Sequence, residues 1–284
     1  MRTVLVALAL LGGSLALAQG GSRIKETYDV VYTTASGFPQ KLDLFQPLFT
    51  SRGRPAIVMV HGGGWSGGDK SAYTALGRYY AGLGYVCASI NYRLTPTHVW
   101  PAQIDDTQAA VRWMRKNAFV LGLDPNRIGA VGASAGGHLV LFLGETDTLN
   151  DFDPLLSGYS SRVQAVVDYF GPTDMMNPLE WAPSIWDLIA NLIGEPWEFG
   201  SPAYQAASPL YFVTPDDAPT VVFHGTADPV VPFGQSQRVV AAFQANQVPV
   251  YYFQFPGEGH GFTGATSNFT ISVMSAFFAQ EIGS

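Results

Sequence analysis

An α/β fold on a mostly parallel sheet is predicted by three features of the 284-residue sequence. Apolar runs of strand length recur along the chain, segments of helical periodicity alternate with them, and no internal repeat or low-complexity tract interrupts the rhythm. Several runs are apolar throughout, as expected for strands covered on both faces, so helices should lie on both sides of the sheet. The length suits a single large domain, taken as residues 19–284. A composition of 47% apolar and 13% charged residues describes a compact globular chain, and the net charge of −7 offers no footprint for nucleic acid.

Residues 1–18 combine Arg2, an apolar run over 4–18 and Ala16-Leu17-Ala18, the pattern of a secretory leader cleaved after Ala18. The run is short for a membrane span and holds two central glycines, so a secreted or periplasmic chain without a stable membrane anchor is expected. Residues 27–46 alternate apolar and polar side chains across Ser36-Gly37-Phe38-Pro39, which predicts a hairpin of two antiparallel strands. Continuous apolar runs at 56–60 and 85–90 predict buried strands with a helix over 72–82 between them. The one cysteine, Cys87, can form no intramolecular disulfide and reads as a buried thiol.

The strongest helix pattern covers 101–122. Asp105 and Asp106 come early and Arg112, Arg115 and Lys116 late, an order that suits the helix dipole. Asp106 has a second reading as a solvated or capping acid. Further strands are expected at 128–131, 163–169, 220–223 and 250–255, making eight, with helices over 234–246 and 269–280. Between 171 and 218 an insertion bearing Met175, Met176, Trp181, Trp186 and Trp197 is too long for an ordinary connection. It reads as a small cap, with Trp181 and Trp186, beside Trp65, as candidate substrate contacts; the alternative is that these tryptophans pack the insertion onto the domain.

In open α/β sheets ligands bind at the carboxyl ends of strands, and four candidate groups directly follow predicted strands. His61-Gly62-Gly63-Gly64-Trp65 exposes successive backbone N–H groups able to bind an oxyanion. Gly132-x-Ser134-x-Gly136 fits a strand–turn–helix elbow that presents a nucleophile. Asp228 and His260 follow the last two strands. A second match, Gly64-Trp65-Ser66-Gly67-Gly68, has neither a strand before it nor a helix after it, and Ser66 reads as a loop serine.

The order Ser, acid, His is that of α/β hydrolases. His61, His98, His138 and His224 all precede Asp228, so His260 alone fits as the base; His138, one helical turn after Ser134, reads as a packing or hydrogen-bonding residue. Asp168, Asp174 and Glu258 compete with Asp228 for the acid. Histidine can take the serine proton while the acid fixes its tautomer and steadies the imidazolium. No metal or other cofactor is expected, since His-Glu-x-x-His and Cys/His clusters are lacking.

From about 41 to 262 the sequence resembles secreted bacterial esterases of the α/β-hydrolase fold, especially the feruloyl-esterase-like (BD-FAE-like) branch near the hormone-sensitive-lipase group. The residues that carry the resemblance are His61-Gly-Gly-Gly-Trp65, Asn91-Tyr-Arg-Leu94, Pro101-Ala-Gln-Ile-Asp-Asp106 with Trp113, Gly122-Leu-Asp-Pro-Asn-Arg127, Gly132-x-Ser-Ala-Gly-Gly-His138, His224-Gly-x-Ala-Asp228 and Gly259-His-Gly261. The resemblance implies Ser134, Asp228 and His260 as a catalytic triad and the N–H groups of Gly63, Gly64 and Ala135 as an oxyanion hole. Close relatives often carry an acid immediately before the nucleophile, where this chain has Ala133. The expected activity is that of a secreted serine carboxylesterase on short acyl or aromatic esters, acetyl or feruloyl, in a small molecule or on a polymer. A polyester hydrolase or a peptidase with the same triad is the alternative within enzymes, and an inactive hydrolase-like binding protein the alternative outside them.

Overall fold

A computed structural model describes residues 24–48 and 52–283; the leader-like residues 1–18 lie outside them. The described residues form one sheet of eight strands: β1 (Ile24–Thr33), β2 (Gln40–Pro47), β3 (Arg54–Val60), β4 (Val86–Ile90), β5 (Leu123–Ala133), β6 (Ala165–Tyr169), β7 (Thr220–Gly225) and β8 (Val250–Phe255). Their spatial order is β1-β2-β4-β3-β5-β6-β7-β8. The β1/β2 and β2/β4 pairs are antiparallel and the rest parallel. The expected hairpin thus forms one edge of a sheet that is otherwise parallel.

The central strands are buried on both faces, and their side chains sort by the two-residue period of a strand. Ala56, Val58 and Val60 join one core layer, with Ile104, Leu139, Phe142 and Phe243. Ile57 and Met59 join the other, with Tyr80, Val131, Met274 and Phe278. Helices α2 (Ala102–Lys116), α4 (Ala135–Glu145) and α7 (Gly234–Ala245) therefore cover the first face, and α1 (Thr74–Gly82) and α8 (Gly264–Glu281) the second. Cys87 is buried in the second layer, and burial pushes its thiol up.

The helix expected over 101–122 divides into α2 and a single turn, α3 (Ala118–Leu121), at Asn117. The Asn117 amide donates to the Trp113 carbonyl at 2.8 Å and competes locally with the regular ladder. The last helix begins at Gly264, five residues before the sequence pattern becomes helical. The insertion over 171–218 contributes α5 (Pro183–Ile193) and α6 (Pro202–Ala206).

Asp106 is neither solvated nor a cap. Its carboxylate is fully buried and takes hydrogen bonds at 2.8 Å from both the backbone amide and Nε of Arg93. Arg93 also donates to the Ala102 carbonyl, which pins the loop after β4 to the start of α2. That loop in turn holds the glycine run after β3, since the Thr95 amide donates to the Trp65 carbonyl at 2.9 Å. Removing one partner of a buried ion pair strands the other, so Asp106→Ala should lower the free energy of unfolding in urea by about 3–5 kcal/mol. A loss below 1 kcal/mol would mean that the pair does not tie the loop down.

Candidate active site

The strand–turn–helix elbow at Ser134 is dictated by the glycines of its sequence. Ser134 sits between β5 and α4 at φ 57°, ψ −123°, a conformation that costs a non-glycine residue on the order of 1–3 kcal/mol. Its neighbours make room for the sharp turn. A Cβ on Gly136 would stand 2.0 Å from the Val60 carbonyl oxygen, and one on Gly132 would stand 2.3 Å from the Gly136 oxygen. Both obstacles are backbone, so neither position accepts a side chain without moving the elbow. The Ser134 amide donates to the Tyr169 carbonyl at 2.9 Å and fastens the turn to β6.

Three side chains from three strand ends meet in series. Ser134 Oγ lies 3.0 Å from His260 Nε2, and His260 Nδ1 lies 2.7 Å from Asp228 Oδ2. Nδ1 facing a carboxylate carries the proton, so Nε2 is free to accept from the serine hydroxyl. The Asp228 side chain is fully buried, which by itself would raise its pKa. Hydrogen bonds from His224, His260 and the Val230 amide outweigh that cost and hold the carboxyl well below the usual range. Asp228 Oδ1 also accepts from the Val231 amide at 3.0 Å, which fixes the carboxylate's orientation.

The competing acids are engaged elsewhere. Asp174 pairs with Arg238 at 3.2 Å, and Glu258 accepts from the Thr266 hydroxyl. Asp168 is buried under the first turn of α4 and accepts from the Gly171 amide at 2.9 Å. His138 is fully buried, accepting from the Trp65 indole at 3.2 Å and donating from Nε2 to the Ala207 carbonyl at 2.8 Å. Burial lowers its pKa to about 4, which keeps it neutral. Ser66 lies in the loop after β3, with its hydroxyl directed to the Gly63 carbonyl.

The glycine run packs directly on the elbow. A Cβ on Gly62 would come within 2.7 Å of the Ala133 oxygen and 3.3 Å of Ser134 Cβ. Gly63, Gly64 and Trp65 all have positive φ, at 117°, 57° and 56°, which curls the run around the cleft. The Gly63 and Gly64 amides make no hydrogen bond among the described residues. The Ala135 amide, at the first position of α4, has no intrahelical acceptor. Gly63, Gly64 and Ala135 share with Ser134 and His260 a cleft of about 390 Å³.

The far wall of the cleft comes from the insertion, through Trp181, Ile185 and Leu188. Trp65 lines it as well, but Trp186 does not: its ring stacks on Tyr204, with centroids 5.6 Å apart. On α5 Ile185 and Leu188 are three residues apart on one face, and Trp186 falls on another. Sequence reasoning missed Phe170, Pro172, Val230 and Val231, which also line the cleft. Phe170 directly follows β6, so the strand-end rule that singles out Ser134 would have found it. It has φ 43°, and its ring centre is 4.5 Å from that of His260.

A family model described as BD-FAE matches residues 42–243. Esterase LipQ of Mycobacterium tuberculosis (strain ATCC 25618 / H37Rv) is 31% identical over 243 residues, 84% of this chain and 57% of the relative. This chain thus spans little more than half the length of that curated relative. A solved structure titled a truncated form of carbohydrate esterase from gut microbiota superposes with a TM-score of 0.79 at 30% identity, covering 92% of this chain and 97% of that one. Butyrate-bound Est2, an esterase of Thermogutta terrifontis, gives 0.75 at 26% identity, covering 93% and 95%.

One buried acid makes stability depend on pH. Burial raises the Asp168 carboxyl from 3.8 to about 7. Between those values the folded chain holds a proton that the unfolded chain has lost, so this contribution favours folding at low pH and is lost as pH rises through about 7. Asp168→Asn keeps the acceptor for Gly171 and removes the titration. Its melting temperature, measured by calorimetry against wild type, should gain more at pH 8 than at pH 5. An equal difference at both pH values would mean that Asp168 does not hold its proton.

Proposed function

The chain belongs to the BD-FAE family, and from that membership we propose that it is a carboxylic ester hydrolase acting through an acyl-enzyme on Ser134. The observation that carries the reading is the hydrogen-bonded series from Ser134 through His260 to the buried Asp228, opening into a cleft bordered by backbone amides with no acceptor among the described residues.

Ser134 Oγ attacks the ester carbonyl carbon while His260 Nε2 takes its proton. The carbonyl π pair moves onto oxygen, where the amides of Gly63, Gly64 and Ala135 stabilise the negative charge; each such donor is worth about 3–4 kcal/mol by deletion. Asp228 steadies the imidazolium. Collapse of the tetrahedral intermediate breaks the bond to the alcohol oxygen, which leaves with the proton from Nε2. Water then repeats the attack on the acyl-enzyme, with His260 again as base, and releases the acid and free Ser134.

The substrate reading is a short acyl or aromatic ester. A cleft of about 390 Å³ walled by Trp65, Trp181, Ile185 and Leu188 suits an acyl group of acetyl to feruloyl size, and of the two structural relatives one is a carbohydrate esterase and the other an esterase with butyrate bound. The Trp181 indole N–H is buried with no hydrogen-bond partner among the described residues, which makes it a candidate donor to a polar atom of the substrate. Export beyond the cytoplasm belongs to the same proposal and rests on residues 1–18 alone.

Nitrophenyl acetate turnover by Ser134→Ala tests the mechanism. A fall of about 10³- to 10⁶-fold is expected, with the melting temperature retained. Turnover equal to wild type would remove Ser134 from the reaction.

A further inference from the structure

A concavity larger than the one that holds Ser134 lies elsewhere among the described residues. A groove of about 840 Å³ runs between α1 and α8 on the other face of the sheet, with Leu76 and Tyr79 on one wall, Phe262 and Ile271 on the other, and Ala133 and Tyr169 beneath. Its rim carries Ser267, Asn268 and Ser272, and the buried Thr270 lies below them. No Asp, Glu, Lys, Arg or His is among its lining residues.

The groove adjoins the catalytic cleft. Ala133, the residue before the nucleophile, and Phe170 line both. Phe170 is only 6% exposed, and its ring packs 4.5 Å from His260 and 5.5 Å from Phe262, which lines the groove as well. One aromatic side chain of the groove, Phe170, thus borders the histidine, and Phe262 packs behind it.

The chemistry assigns the two concavities to opposite halves of an ester. His260 delivers its proton to the departing alcohol oxygen, so the alcohol must extend toward His260. The acyl group then lies toward the insertion, where Trp181, Ile185 and Leu188 wall the smaller cleft. We infer that the α1–α8 groove is the alcohol-side subsite and takes an uncharged, ring-bearing alcohol, either aryl or glycosyl. This inference rests on the esterase reading above.

The groove's composition sets the ligand class. An ionised group there would lose water and gain no partner of opposite charge. Aromatic side chains of Tyr79, Tyr169 and Phe262 offer stacking surfaces to a ring, and the Ser267 hydroxyl and Asn268 amide can meet its polar edge.

The test uses three acetates: methyl acetate, 2-naphthyl acetate and a neutral acetylated xylo-disaccharide. Wild type is compared with Leu76→Trp and Ile271→Trp, which fill the groove from opposite walls. Each variant should lose at least tenfold in kcat/KM on a ring-bearing ester relative to its own methyl acetate value, chiefly through KM. Loss confined to the naphthyl ester identifies an aryl alcohol, and loss confined to the disaccharide a glycosyl one. If both ratios stay within twofold of wild type, the groove does not bind the alcohol, although the esterase reading stands. If wild type turns over none of the three, the esterase reading falls and takes the groove with it. Should neither variant fold, Leu76→Phe and Ile271→Phe carry the same comparison with the same criteria.

Discussion

The site depends on how closely three backbone segments approach one another at the carboxyl ends of β3, β5 and β6. Gly132 and Gly136 touch across the elbow, Gly136 touches the end of β3, and a Cβ on Gly137 would strike Asp168 Oδ1 at 2.3 Å. With no side chains at these positions, α4 starts almost against the sheet, and Ser134 is forced into its positive φ. Strain of this kind persists only where the surroundings over-determine it. Here they do, through the Ser134 amide on Tyr169 and the glycine run packed on Ala133.

A second layer of fixed polar groups holds this geometry. Asp228 is oriented by two backbone amides and by His260, while His224, fully buried, is hydrogen-bonded to Ser236 and the Val231 carbonyl and supports the same loop. On the other side Trp65 is locked by its bond to His138, which is anchored to Ala207 within the insertion. Leu188 stands where a Cβ on Gly64 would be, 2.8 Å away. The insertion and the glycine run are therefore packed as one wall. His138 is tied to the site through Trp65 rather than through proton transfer, consistent with its low pKa and neutral ring.

Much of this was legible in the sequence because double-sided burial leaves a plain signal. Strands β3, β4 and β7 read as unbroken apolar runs, and the strand-end rule gathers Ser134, Asp228 and His260 without any knowledge of their distances. Features set by tertiary partners were not legible. Asp106 is a buried ion-pair residue because Arg93 returns to it from a loop, and the pattern of α2 alone cannot tell that from a cap. Trp181 and Trp186 look equivalent in sequence, but only one faces the cleft once α5 fixes the angular spacing. The α1–α8 groove was invisible because its walls, Leu76 and Ile271, are nearly two hundred positions apart.

The central claim is that Ser134 is an activated nucleophile held by this backbone and this histidine. Reaction of the wild-type protein with a fluorophosphonate probe, followed by peptide mapping, tests it most directly. One adduct per chain on the peptide carrying Ser134 is the predicted result. No adduct, or an adduct on another serine such as Ser66, would contradict it.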